Sequence, residues 1–350
     1  MNFQPNALPT LIGSLPLNDH VEAVELILKY TPEIPLWPQL PVYEHERLLT
    51  QFIEGLPGIK KEGDKIYFDT SSSDFDQQML SFFEDYLAIT EAGAALEGSR
   101  FAFSKETSKG FKTFLDMVSQ NTENLVALKG QITGPFTMLT GIKDQDEKLS
   151  FFNPVLRDAT VKAISLKARY QVEEMKKSFS KVILFLDEPA LSGFGSSAMV
   201  GITREDTIND LTSVIKEVKK AGALCGIHVC ANTDWSLVLE CGIDILSFDA
   251  YGFFDKVILY KDALKNFLEK GGIIAWGLVP TLNPEDLEKE DIDSLFKLWQ
   301  KDIKELELDE KLIKKQALIT PSCGTGLLKK EQAERALMLT NRLSKRIRNS

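Results

Sequence analysis

Eight short, apolar, β-rich runs recur along this chain with helical stretches between them, and no other feature of the sequence limits its fold so strongly. They cover residues 8–14, 34–39, 125–131, 181–187, 223–228, 243–249, 272–278 and 317–320. The stretches between them carry the 3.6-residue apolar period of crossover helices, most clearly at 158–178 and 204–221. Parallel strands need such crossovers, and eight β–α units are the count of a (β/α)8 TIM barrel, an α/β fold. The spacing breaks once. Residues 41–124 separate the second and third runs, which predicts an insertion with extra helices and a small hairpin around 65–69, inside a single domain spanning 1–350. Two doubly wound domains are the alternative, but no Gly/Ser-rich or Pro-rich linker divides the chain.

With 43% hydrophobic and 26% charged residues, the 350-residue chain has the makeup of a globular protein with ample core. A formal net charge of −10 argues against nucleic acid and anionic membranes as partners. No apolar run reaches the ~20 residues that span a bilayer, and residues 1–5 lack the basic and apolar regions of a signal peptide, so the expected location is cytoplasmic. Four cysteines in so long a chain fit reduced thiols rather than a disulfide framework.

Polar residues punctuate the C-terminal ends of the runs, the rim on which this fold gathers its catalytic groups. Ile12, Gly13 and Ser14 end the first run, Asp187 and Glu188 the fourth, His228 and Cys230 the fifth and Asp249 the sixth, while Cys323 follows the eighth. In a chain with 3 His and 4 Cys, the His228-x-Cys230 step stands out. Residues i and i+2 of a strand share a face, so imidazole and thiol would project together as donors suited to Zn²⁺. A structural zinc finger needs a second ligand pair nearby. The next usable cysteine is the distant Cys323, which is the pattern of a catalytic metal assembled from separate strand ends. Cys225, on the opposite strand face, and Cys241, at the end of an amphipathic stretch, read instead as small core residues. Asp249 is the candidate oxygen ligand; a plain rim carboxylate or a helix cap is the alternative, and Glu240 is the competing ligand.

One His, two Cys thiolates and an oxygen donor make a sulfur-rich zinc site, a poor generator of hydroxide but a good binder of thiols. One of Asp187 and Glu188 must face the barrel mouth, where a buried carboxylate needs a partner; a substrate ammonium would serve, as would a structural salt bridge. Gly13 and Ser14 could offer backbone and hydroxyl donors to a substrate carboxylate, or form an ordinary turn. Residues 130–135 match no phosphate-loop or dinucleotide spacing, so no nucleotide is inferred.

The same residues resemble the catalytic half of the cobalamin-independent methionine synthase family, within the superfamily of uroporphyrinogen decarboxylase and the zinc methyltransferases that act on methylated corrinoids. The likeness covers most of the chain. It implies that Ile12, Gly13 and Ser14 bind homocysteine, that Asp187 in the Asp-Glu-Pro-Ala-Leu191 stretch holds its amino group, and that His228, Cys230 and Cys323 ligate zinc. Asp249 falls where the family usually has Glu. The implied activity is zinc-dependent methyl transfer to a thiol, giving methionine from homocysteine. Four departures bear on the methyl donor. The folate-dependent enzymes carry an N-terminal duplicate barrel, place a tryptophan where this chain has Gly141 and a pterin-binding glutamate where it has Gly193, and have a proton-donating histidine in the stretch matching 277–280. Loss of folate contacts with retention of thiol and metal residues implies a methylated corrinoid as donor, methylcobalamin free or on a corrinoid protein, ahead of methyltetrahydrofolate. A uroporphyrinogen decarboxylase-like enzyme is the alternative, although it wants arginines to clamp carboxylates and the first two runs are followed only by Arg47. A non-catalytic corrinoid- or thiol-binding protein is the other.

Overall fold

The computed structural model describes residues 3–63, 65–120 and 122–350. Its strands are β1 (Leu8–Pro9), β2 (Ile59–Glu62), β3 (Lys65–Phe68), β4 (Leu128–Thr133), β5 (Lys143–Asp144), β6 (Val182–Asp187), β7 (Leu224–Val229), β8 (Ile245–Phe248), β9 (Ile273–Val279) and β10 (Ala317–Pro321). Among the helices, α1 (His20–Tyr30), α2 (Phe75–Thr90) and α3 (Lys109–Ser119) precede β4; α4 (Pro135–Gly141), α5 (Pro154–Ser178), α6 (Arg204–Lys220), α7 (Trp235–Glu240) and α8 (Ala250–Val257) follow. The chain then adds α9 (Lys261–Glu269), α10 (Pro284–Lys289), α11 (Ile292–Glu305), α12 (Glu310–Lys315) and α13 (Lys330–Arg348). No helix among the described residues is long and apolar enough to cross a membrane.

Seven strands form one parallel sheet in the order β1-β10-β9-β8-β7-β6-β4, curled into a half-barrel with helices on its convex side. Seven of the eight expected strands are therefore present as ladders. The run 34–39 is not. It lies between the sheet's two edges and touches them through isolated bridges, Ser14 to Gln39 and Leu36 to Lys129. The reason is local: Pro35 and Pro38 have no N–H to donate, so the segment mostly accepts, as Pro35 does from the Lys129 amide at 2.9 Å. Closure by a continuous eighth strand, expected from the sequence, is not observed.

Strand alternation sorts the side chains into two populations. Leu128, Ile132, Leu184, Leu186, Ile227, Leu246, Trp276 and Ile319 turn outward into the helix layer. Leu8, Ile34, Ile183, Phe185, Ile245, Ile273, Ala275 and Leu318 turn inward and pack as a separate apolar plug. Toward the C-terminal ends of the strands the same inward rows become polar: Gln131 and Thr133 on β4, Asp187 on β6, His228 on β7 and Ser247 on β8, while Lys129, level with Ile183 of the plug, starts the inward row of β4. A plug of apolar side chains thus supports a polar floor.

The insertion 41–124 contains the expected helices and hairpin. β2 and β3 pair antiparallel, with β5 added parallel to β3. An aromatic cluster fastens the insertion to the sheet's helix layer. Trp37 packs edge-on to Phe103 and Phe111, both of these meet Tyr170 of α5, and the Trp37 indole N–H donates to Gln171 at 3.0 Å. Helix starts follow their capping chemistry. Asn153 accepts from the Val155 and Leu156 amides ahead of α5, Thr203 accepts from Asp206 ahead of α6, and Asp291 with Ser294 forms a capping box on α11.

Candidate metal centre

β7 carries His228 inward at its C-terminal end, and the chain leaves the strand at Cys230, two residues on. Cys323 arrives from the loop after β10. The three donor groups of His228, Cys230 and Cys323 lie within 4.8 Å of one another, with His228 buried and both cysteines half-buried. Ring orientation is set from the next strand: His228 pairs in register with Ser247, whose hydroxyl lies 3.0 Å from Nδ1. The other ring nitrogen, Nε2, is buried and without a hydrogen-bond partner. An imidazole tied at Nδ1 and bare at Nε2 is the usual preparation of a metal-ligating histidine.

The Cys323 loop is clamped by residues the sequence did not single out. Thr281, just after β9, accepts from the Cys323 amide at 3.0 Å and donates to its carbonyl at 3.1 Å, while the Ser322 hydroxyl accepts from the Thr281 amide at 3.1 Å. Gly277 admits this loop. A Cβ there would lie 2.5 Å from the Phe248 carbonyl and 2.9 Å from the Ser322 Cα, closer than any real side chain approaches. The neighbouring Cys323 thiol and the His228 ring, against the effect of burial, hold the Cys230 thiol well below its usual range, and the closeness of Cys230 together with burial drives Cys323 upward.

The remaining candidates divide. Asp187 faces inward beside His228, with which it is in register, and its Oδ1 is buried without a partner. Burial raises its carboxyl to about 6, against the pull of His228 and Lys129. Glu188 points the other way. It is fully buried and accepts from the Phe136 and Thr137 amides at 2.9 and 2.7 Å and from the Thr137 hydroxyl at 2.6 Å, capping α4. Asp249 caps α8, accepting from the Gly252 amide at 2.8 Å. Burial lifts its carboxyl to about 6 and the charge of His228 opposes this, so it lies near the centre without being one of the three clustered donors. Glu240 is far from that role: it sits on the solvent side of α7, its carboxylate 2.6 Å from Arg204. Cys225 and Cys241 are buried core residues, as strand parity and the end of an amphipathic stretch respectively lead one to expect.

Ile12, Gly13 and Ser14 form the opposite wall of the same cavity, which measures about 290 Å³ and is also lined by Gln39, Asp187, His228, Cys230 and Cys323. The chain is held there by Gln39, whose amide donates to the Gly13 carbonyl at 3.1 Å and whose carbonyl accepts from Leu15 at 2.9 Å. The Ser14 hydroxyl accepts from the Gly326 amide at 3.2 Å, tying this wall to the Cys323 loop. Arg47 stands at the mouth, its Nε donating to the Pro41 carbonyl. The donor set fits zinc. Tetrahedral bonds of about 2.0 Å to nitrogen and 2.3 Å to sulfur put donors roughly 3.3–3.8 Å apart, so three atoms already within 4.8 Å need only small side-chain rotations to close.

No family model and no curated protein matches the sequence. Among solved structures, the tandem GH20 catalytic modules of the pneumococcal exo-beta-D-N-acetylglucosaminidase StrH align over 96% of this chain and 85% of that one, at 11% identity and a TM-score of 0.49. The A. niger ochratoxinase aligns over 53% of this chain and 43% of its own, at 14% identity and a TM-score of 0.27. Neither superposition is close enough to bear on fold or chemistry.

Proposed function

We propose that the protein is a zinc-dependent thiol methyltransferase of the (β/α)8 barrel type, with residues 34–39 as the irregular eighth stave. It moves a methyl group to homocysteine from a methylated corrinoid, which another protein carries. The observation that supports this is the meeting of His228, Cys230 and Cys323 on one wall of a cavity whose other walls are Gly13, Ser14 and the unpartnered carboxylate of Asp187. Zinc, when bound, would supply the positive charge that keeps an incoming thiol deprotonated near neutral pH. His228 would offer Nε2, and Cys230 and Cys323 their sulfurs, with Asp249 a nearby carboxylate whose Oδ1 caps α8.

The chain's own residues then position the substrate. Asp187 would take the homocysteine ammonium, and the Gly13 and Ser14 amides, outside the backbone hydrogen bonds that pin this wall, would take its carboxylate. Held at both ends, the amino acid directs its sulfur toward the cysteines. The sulfur lone pair attacks the methyl carbon in line, forming the C–S bond while the cobalt–carbon electron pair leaves with the corrinoid. A decarboxylase of the uroporphyrinogen type needs several cations around its substrate, and of the described residues lining the cavity only Arg47 among the arginines and lysines is one.

Metal analysis is the test. One zinc per chain is expected, lost in Cys230→Ser and Cys323→Ser, and added homocysteine should bring a further sulfur to about 2.3 Å in the X-ray absorption spectrum. Variants that keep the parental zinc content would overturn the site, and a spectrum unmoved by saturating thiol would overturn the thiol-binding role.

A further inference from the structure

Lys129 is the one charged residue of β4, the second residue of that strand. Its side chain is fully buried on the inward row of β4. The ammonium donates to the Ile12 carbonyl at 2.9 Å, lies 4.3 Å from the centre of the Phe185 ring and exerts its charge on Asp187. It does not line the cavity. Burying a lysine in this way costs free energy that a purely structural position could avoid with a methionine or leucine. The ammonium acts on both groups that the proposed function assigns to the amino-acid end of the substrate: it hydrogen-bonds the 12–14 wall, and its charge reaches Asp187 without an ion-pair contact.

We propose that Lys129 is a positioning residue that selects thiols carrying an amino-acid head group, by fixing the Ile12 carbonyl so that the Gly13 and Ser14 amides face the cavity, and by balancing Asp187 from below. This rests on the reading of the cavity as a homocysteine site. Among the described residues, the other hydrogen bonds that hold this wall are those of Gln39 to Gly13 and Leu15 and of Thr325 and Gly326 to Ser14. Ile12 is the residue of that wall nearest the plug, and no other side chain among the described residues hydrogen-bonds its carbonyl. A peptide plane released at Ile12 rotates the Gly13 amide with it, because the two share that plane.

The test compares Lys129→Met and Lys129→Arg with the parent on two thiols, homocysteine and 2-mercaptoethanol, using zinc content and the sulfur signal in the X-ray absorption spectrum as thiol is titrated. Lys129→Met should weaken homocysteine roughly tenfold or more, the loss of one charge-assisted contact, and leave zinc content and 2-mercaptoethanol unchanged. Lys129→Arg, which keeps charge and donors, should recover most of the preference. Amide exchange over residues 11–15, measured without thiol, should quicken in Lys129→Met alone. Equal losses on both thiols, or exchange and affinity unchanged in a folded Lys129→Met, would overturn the role. If Lys129→Met does not fold, a Lys129→Arg protein indifferent to the head group would do the same. Failure of the parent to take homocysteine sulfur at all would instead sink the functional reading, while the exchange measurement would still report on the anchoring of Ile12.

Discussion

Asp187 and Glu188 are consecutive acids that the strand sends in opposite directions. Glu188 meets three donors at the start of α4, which is why residue 134 is glycine: a Cβ there would lie 2.1 Å from the Glu188 Oε1. Asp187 meets none at Oδ1 and waits beside His228. Asp187→Asn should therefore weaken homocysteine by about 1.5–3 kcal/mol, the usual value of a hydrogen bond to a charged group, and should barely change a thiol without an amino group. Titrating both thiols into the zinc-loaded protein checks this, and equal losses would make Asp187 structural. At this scale the zinc candidates were legible because strand parity and donor chemistry are local properties: His228 and Cys230 share a face, and Cys225 does not. Lys129, Ser247 and Thr281 were not, because their partners lie 117, 19 and 42 residues away. A lysine two residues from Gln131 within a strand was a signal, but nothing nearby said what it would bond.

Elements were legible where the hydrogen-bond chemistry of the backbone was intact. Six of the expected runs became ladders of four to seven residues, while β1 shrank to two and 34–39, interrupted by proline, to bridges. Apolar content predicted these staves and missed that Pro35 and Pro38 remove the donors a regular ladder needs. Helix α11 has the opposite flaw, a buried carboxyl with little to bond. Asp302 is 1% exposed on that helix and its Oδ2 has no partner. Burial raises the group to about 7. The native state thus keeps a proton that the unfolded chain has released between the ordinary aspartate value and about 7, so this group's effect on stability worsens as pH rises through that window. Asp302→Asn keeps the shape and removes the charge. It should gain on the order of 1–3 kcal/mol at pH 8 relative to its effect at pH 4, measured as urea midpoints, and the same effect at both pH values would show that the buried carboxyl carries no charge penalty.

Across the whole molecule, the insertion supplies what the curled sheet lacks on the side of the mouth. Thr133, at the end of β4, donates to the Leu48 carbonyl, and Gln39 donates to Gln51 at 2.7 Å, so residues 39–51 are held against the rim. The enclosed space of about 290 Å³ suits a small amino acid, and a larger groove of about 790 Å³ adjoins it through Pro41 and Arg47. Val42, Leu48 and Leu327 are exposed apolar residues there, 62%, 40% and 99% accessible. Such a mouth fits a donor that presents its methyl from outside better than one swallowed whole. At Gly141, which the sequence resemblance sets against a pterin-stacking tryptophan, an added Cβ would lie 3.0 Å from Leu49; at Gly193, set against a pterin-binding glutamate, it would lie 2.8 Å from Met199. Neither position offers a pterin a ring to stack on or a carboxylate to bond. The leaving group argues the same way. A cob(I)alamin departs with its electron pair and needs no proton, whereas the folate nitrogen must be protonated to leave, and 277–280 carries no histidine to do it. The protein should therefore demethylate methylcobalamin, free or protein-bound, several orders of magnitude faster than methyltetrahydrofolate. Rates for both donors with homocysteine as the common acceptor decide the matter, since robust turnover of methyltetrahydrofolate with none of methylcobalamin would show that the groove serves a folate after all.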